Sequence, residues 1–538
     1  MKKILLFVTM SAMLLIMACG KGKTDKKETG SEKKGEKSIA VNISSEPKTI
    51  DPQLATEASG IIVDTLLFEG LTRIDLKGEV TGAASESWEI SEDGLTWKFN
   101  LRKNAKWSNG DPVTAHDFVF GWLRALNPET ASEYAYELYY IEGAQEYNEK
   151  KGKKENVKIK ALDDYTLEFK IKKPTPYLPS LLSFPTYYPA NEKFVKETGQ
   201  EYMTTVKKSM GNGPYVLKEW TPESNMILAK SENYWNKDNI HMDKLELKMI
   251  SDEAALKNAF KNKELDISDI SGNLVADFQG SKELVSYVKG SIRFLKFNLK
   301  EKLTSNPKIR EALSLAIDRE ELGQNVAVGS FIPAKGFVPE GYGKLGDKDF
   351  REANGDLYEK YNPEKAKKMF DEGMKELGNP EPKITLQIFE AYGNKDLAVY
   401  VQEKWRKILG LETEIIINTP KVYFQNEQQG NYVVAIGMWG PDYLDPMTYM
   451  DMWVTDGGNN QTGWSNKKYD SLLEEAKLTT DNDIRIRKMM EAEKILGEEF
   501  PIAVLAINVK NVLVSDRVKN MNFMKIAAGN DFYYVDLK

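Results

Sequence analysis

The chain has 538 residues, more than one hydrophobic core can serve, since cores stop growing near ~250–300 residues. At least two lobes are predicted. Apolar residues make up 41% and charged residues 29%, and the 74 Lys and Arg are spread against 81 acids to a net charge of −7. That balance suits a soluble fold and argues against nucleic acid as a partner.

In chain order, Lys2 and Lys3 precede an apolar run, Ile4 to Met17, of signal-peptide length and too short to span a bilayer. The run ends Met17-Ala18-Cys19-Gly20 and resembles a bacterial lipoprotein signal, with Cys19 as the lipidated first residue of the mature chain. Cys19 is also the only cysteine, so the fold has no internal disulfide to lean on. Lys21 to Lys37 holds no apolar residue and reads as a disordered tether. No later run of ~18 apolar residues suggests a membrane span.

Alternation predicts strands over 39–43, 95–101, 165–171 and 215–220. Thr114 is placed to cap a helix carrying Phe118, Trp122 and Leu126. Asn306-Pro307 and Asn362-Pro363 are helix starts, each a cap followed by proline at the first helical position. A strand over 384–389, a helix capped by Asn394 and stopped at Gly410, a strand over 411–417, a helix over 422–429 and a strand over 432–439 then form a β-α-β-α-β run. That order predicts a mostly parallel sheet with right-handed crossovers. Asp481 caps a further helix, and an apolar strand covers 502–514.

The stretch WGPDYLDP, Trp439 to Pro446, begins at the carboxyl end of a strand, where open α/β sheets bind ligands. Asp445 precedes a proline and a helical run, so it reads as an N-cap. Asp442 has no such local duty; it is either a solvated loop acid or a binding group.

WGPDYLDP and NNQTGWSNKKYDSLL (459–473) resemble the extracytoplasmic solute-binding proteins of oligopeptide and dipeptide ABC importers, family 5. SSEPKTIDP (44–52), LFEGLTRID (67–75), WSNGDPVTAHDFVFGWLRALNP (107–128), GNGPYVLKEW (211–220) and NPKIREALSLAIDRE (306–320) carry the same likeness in order. The resemblance implies an α/β, two-lobed periplasmic-binding-protein-like fold with an extra subdomain in the first lobe. It implies a signal peptide over 1–18, a lipidated cysteine and tether over 19–38, a first-lobe core from 39–60, 187–292 and 507–538, the extra subdomain over 61–186, and a second lobe over 293–506.

The same resemblance implies that Asp442 pairs with the N-terminal ammonium of a bound oligopeptide. An α-amine is cationic at neutral pH and is buried at several kcal/mol unless an anion meets it. The ligand's backbone would add like a β-strand, with side chains in hydrated pockets. Glu46, Tyr134, Trp439 and Trp464 are implied as further ligand contacts, with core packing the competing role for Trp464. Gly437, Met438 and Gly440 would offer backbone groups. Some relatives carry an arginine for the ligand carboxylate three residues before the tryptophan; here that residue is Ile436.

The expected protein is a monomer, held at the membrane by its lipid alone, without metal or cofactor, that hinges near 291–297 and 505–509 and delivers its cargo to a permease with separate ATPases. The chain has no GxxxxGK[ST] loop of its own. Other cargoes stay open: a dipeptide, a signalling or cell-wall peptide, an oligosaccharide or a metal chelate. A secreted hydrolase is the rival class. It has only His116 and His241 to work with and neither HExxH nor GxSxG, though a two-carboxylate mechanism stays open. A surface adhesin is the third reading.

Overall fold

The computed structural model describes residues 35–538 apart from 327–328, 359, 390–392, 480 and 527–529. The leader, Cys19 and most of the tether lie outside the described residues. The tether ends sooner than residue 38: the Lys37 ammonium donates to Asp536 at 2.7 Å, and the first strand begins at Ser38.

The principal sheet has eleven strands, numbered here in chain order. They are β1 (Ser38–Asn42), β2 (Tyr215–Thr221), β3 (Asn225–Lys230), β4 (Lys244–Lys248), β5 (Ile267–Ile270) and β6 (Leu284–Phe297). The rest are β7 (Phe331–Pro333), β8 (Lys383–Phe389), β9 (Glu412–Asn418), β10 (Val434–Trp439) and β11 (Ile502–Val514). The order is β9-β8-β10-β6-β11-β5-β1-β4-β3-β2, with β7 paired to β11 off this path. The predicted β-α-β-α-β run is present, and β8 pairs in parallel with both β9 and β10. The sheet as a whole is mixed, because β6 runs antiparallel to both β10 and β11.

Helix starts follow the sequence signals. In α1 (Ala115–Leu126) Thr114 and Asp117 form a capping box, and Trp122 lies edge-on to Phe169 at 5.2 Å. That contact seats α1 on a separate four-stranded sheet of Ser85–Ile90, Thr96–Leu101, Thr166–Lys170 and Ile159–Asp163. Asn306 caps α2 (Pro307–Leu315) and Asn362 caps α3 (Pro363–Glu376). One cap is misplaced: Gly393 precedes α4 (Asn394–Leu409), and the Asn394 amide serves Phe389 O and Arg293 instead. Asp481 caps α5 (Asn482–Glu499) as expected.

The chain crosses the middle of the sheet on two long strands, β6 and β11, of 14 and 13 residues. Their register shifts at two places, between Arg293 and Phe294 and, in a wider break, between Val288 and Ile292. Val288 faces Val509 and Ile292 faces Ile507, so Lys289, Gly290 and Ser291 stand against Asn508 alone. Extra residues on one strand bend and twist it. Gly290 takes φ +79°, and a Cβ there would fall 2.0 Å from the Tyr342 hydroxyl oxygen, so both backbone and space demand glycine. Two hydroxyls hold the break: Tyr342 donates to Lys289 O at 3.0 Å and Tyr449 to Gly290 O at 2.9 Å.

Candidate functional site

β10 is buried along Val434–Gly437 and emerges at Met438, so the chain leaves the sheet centre at Trp439. The following loop is fastened on several sides. Pro446, not Asp445, is the N-cap of the turn Met447–Met450; Asp445, one residue earlier, accepts from Met447 N at 2.8 Å and is gripped bidentately by buried Arg485 from α5, with Arg485 Nη1 to Asp445 Oδ2 at 2.6 Å. Tyr443 stacks face to face on Tyr177 at 3.9 Å, and Leu444 N donates to Ser180 Oγ at 3.3 Å. Asp442 N donates to Thr448 Oγ1 at 3.1 Å.

The Asp442 carboxylate itself has no hydrogen bond or ion pair among the described residues. It projects between two cavities. One, of about 250 Å³, is bounded by Thr56, Tyr134, Glu137, Phe184, Lys289 and Gly440. The other, of about 430 Å³, is bounded chiefly by Tyr136, Tyr140, Tyr177 and Lys172, and it also includes Glu137. Water still reaches Asp442, yet the surrounding walls displace enough of it to push the carboxyl up to about 6. Glu137 is only 8% exposed, and burial, then the Asp442 charge, push it up to about 8. The same burial and nearby acids raise the Tyr134 and Tyr136 hydroxyls.

A trough of about 620 Å³ runs along the strand crossing, with Ser44, Ser45, Arg293, Phe331 and Asn508 on its walls. It shares Lys289 and Ser291 with the smaller Asp442 cavity, so the two form one continuous concave surface. A separate cavity of about 300 Å³, ringed by Ser108, Gly211, Lys218 and Asn233, includes neither Asp442 nor Glu137.

The structure brings Asp442, Tyr134 and Gly440 together and gives the other expected contacts different surroundings. Trp439 is half-buried beside them, and its indole N–H is buried without a partner among the described residues. Met438 is 40% exposed next to Asn508, at 3.9 Å from sulfur to amide nitrogen. Gly437 is small for packing, since a Cβ would lie 2.6 Å from the Phe294 ring. Glu46 spends both oxygens structurally, accepting from Trp220 Nε1 at 2.7 Å and Glu223 N at 2.7 Å. Trp464 is a core residue, 5% exposed, edge-on to Tyr469 at 5.0 Å and donating to Glu499 at 2.6 Å. Its competing role, core packing, is the one the fold gives it. Ile436 is fully buried, and its place in the core leaves no cation at that point.

Glu137, Lys289 and the Tyr177 stack were not legible beforehand. The acid at 137 sits among tyrosines and glutamates with no local motif. Its significance comes from a neighbour 305 positions away along the chain.

The family description "Bacterial extracellular solute-binding proteins, family 5 Middle" matches residues 79–461. The chain is 34% identical to the dipeptide-binding protein DppE of Bacillus subtilis over 96% of this chain and 93% of the relative. Among solved structures, Listeria monocytogenes OppA bound to peptide shares 33% identity with a TM-score of 0.73, covering 94% of this chain and 99% of that one. The periplasmic murein tripeptide binding protein MppA in its unliganded open form shares 25% identity, yet its TM-score is 0.81, covering 94% and 98%. These neighbours have the expected two-lobed α/β architecture.

Proposed function

The chain belongs to the bacterial extracellular solute-binding proteins of family 5, and from that premise we propose that it captures peptides for an ABC importer by meeting their N-terminal ammonium with Asp442. The observation that carries this reading is a carboxylate with no internal partner, poised over a concave surface and fixed there by a loop that Asp445, Tyr443 and Leu444 hold in place. An unpaired acid partly stripped of water is costly to keep, and an arriving cation relieves that cost. The names of similar proteins, one dipeptide-binding and one crystallised with peptide, support the cargo class.

In the proposed cycle the ligand lies along β6 and β11, and the lobes close over it about the break at Lys289–Ser291 and Asn508. The better shape match to an open, unliganded relative than to a peptide-bound one of higher identity fits an open starting state. The lobe boundaries given above and the lipid on Cys19 are part of the same proposal. The closed form would dock on a permease driven by separate ATPases.

Calorimetry with a free-amine tripeptide and its N-acetylated twin tests the reading. The free amine should bind and the acetylated form should not; equal binding would sink it. Incorporation of labelled palmitate, abolished by Cys19→Ala, tests the anchor.

A further inference from the structure

Lys289 stands where the two concavities meet. It is one of the three residues of β6 that lack strand partners, and it borders both the Asp442 cavity and the trough beneath β11. Its ammonium makes no hydrogen bond or ion pair among the described residues. The acid nearest in influence, Asp269, is already taken: Lys510 pairs with one of its oxygens at 2.6 Å and Asn530 donates to the other at 2.6 Å. Burial, with repulsion from Lys510, holds the Lys289 ammonium down to about 8. Lys525 lines the same small cavity and likewise has no ion pair among the described residues.

A single cavity of about 250 Å³ thus carries an acid, Asp442, and two bases, Lys289 and Lys525, none with an ion pair among the described residues, beside a Glu137 carboxyl that takes a hydrogen bond from Tyr136. Groups of opposite sign would normally collapse onto each other. Here each stays on its own wall, because Asp442 is fixed by the loop and Lys289 by the pinned strand break. Loss of solvent makes each lone charge costly, and a molecule bearing both signs satisfies both walls at once.

We propose that Lys289 is a binding residue for a carboxylate of the ligand, so that the site selects peptides carrying an anionic group within reach of their free amine. This rests on the peptide reading above and deepens it. It also supplies a cation that Ile436 does not. The carboxylate has two sources, the C-terminus of a short peptide or an acidic side chain near the N-terminus, and the chemistry at Lys289 is the same for both.

The test is calorimetry of the purified chain and of Lys289→Met and Lys289→Arg, with four probes: Ala-Ala-Ala, its C-terminal amide, Ala-Glu-Ala amide and acetyl-Ala-Ala-Ala. The wild-type chain should bind the free acid at least tenfold more tightly than the amide. Lys289→Met should lose that ratio by weakening only the free acid, and Lys289→Arg should keep it. Recovery with Ala-Glu-Ala amide assigns the carboxylate to a side chain; continued weakness assigns it to the C-terminus. Equal binding of acid and amide by the wild type, or an undiminished ratio in Lys289→Met at an unchanged thermal midpoint, overturns the proposal. The acetylated probe judges Asp442 separately: if only acetylation weakens binding, the amine reading stands and Lys289 falls. No binding by any free-amine probe overturns both.

Discussion

Asp442 and Asp445 stand three residues apart in one loop and live in opposite surroundings. Asp445 is buried, accepts from Met447 N and is clasped by both terminal nitrogens of Arg485. Asp442 is open to solvent and has no partner for its carboxylate among the described residues. The contrast shows how a fold keeps a charge available. One carboxylate is fully committed to holding the loop, so its neighbour can be presented at a fixed place without being neutralised from within.

Mutations can break that contrast from either side. Asp445→Ala leaves Arg485 buried and unpaired, a loss of about 3–5 kcal/mol in stability, which is larger than a lost helix cap alone. Urea unfolding measures it, and a loss under 1 kcal/mol would mean the loop is held by other contacts. Asp442→Asn should instead weaken peptide binding by about 2–5 kcal/mol without lowering the unfolding midpoint. Parallel calorimetry and thermal melts separate the two acids in one experiment.

Gly290→Ala probes the support beneath the loop. The positive φ and the contact with Tyr342 together should cost about 1–3 kcal/mol of stability and disturb closure, read by melts and by small-angle scattering with and without peptide. The mildest effect is on pH. Asp442 must be ionised to hold an ammonium, so affinity should be full near pH 7 and decline as pH falls through about 6. Glu137, Tyr134 and Tyr136 face it, and Glu137, pushed up to about 8, still holds its proton near neutrality. The stability sign is opposite. A carboxyl raised in the folded state favours folding most below its ordinary range near 4, and that contribution is lost as pH rises through about 6. Asp442→Asn should therefore melt slightly higher than wild type at pH 7, and a lower midpoint would contradict the raised carboxyl.

Local periodicity carried most of the second half of the fold. The strands β8, β9 and β10 and the caps of α2, α3 and α5 follow residues a few positions apart, which is the range over which pattern and cap chemistry act. Assignments failed where the deciding partner is remote in sequence. Asp445 read correctly as structural, but Arg485, 40 residues on, gives it its strength. Trp464 resembled a cleft residue until Glu499 and Tyr469 were seen to hold it in the core. Strand β11 was legible in full, but β6 was visible only as a short crossing, and their antiparallel pairing was hidden because it joins residues more than 200 positions apart.

The two tyrosine hydroxyls at the strand break have a mechanical meaning. Tyr449 belongs to the helical turn that directly follows the Asp442 loop, and its hydroxyl grips the carbonyl of Gly290. One rigid ring therefore joins that loop to the point where the sheet bends. Under the proposed function, catching a ligand and flexing that bend would be movements of a single linkage, joined by the Tyr449 hydroxyl at the Gly290 carbonyl.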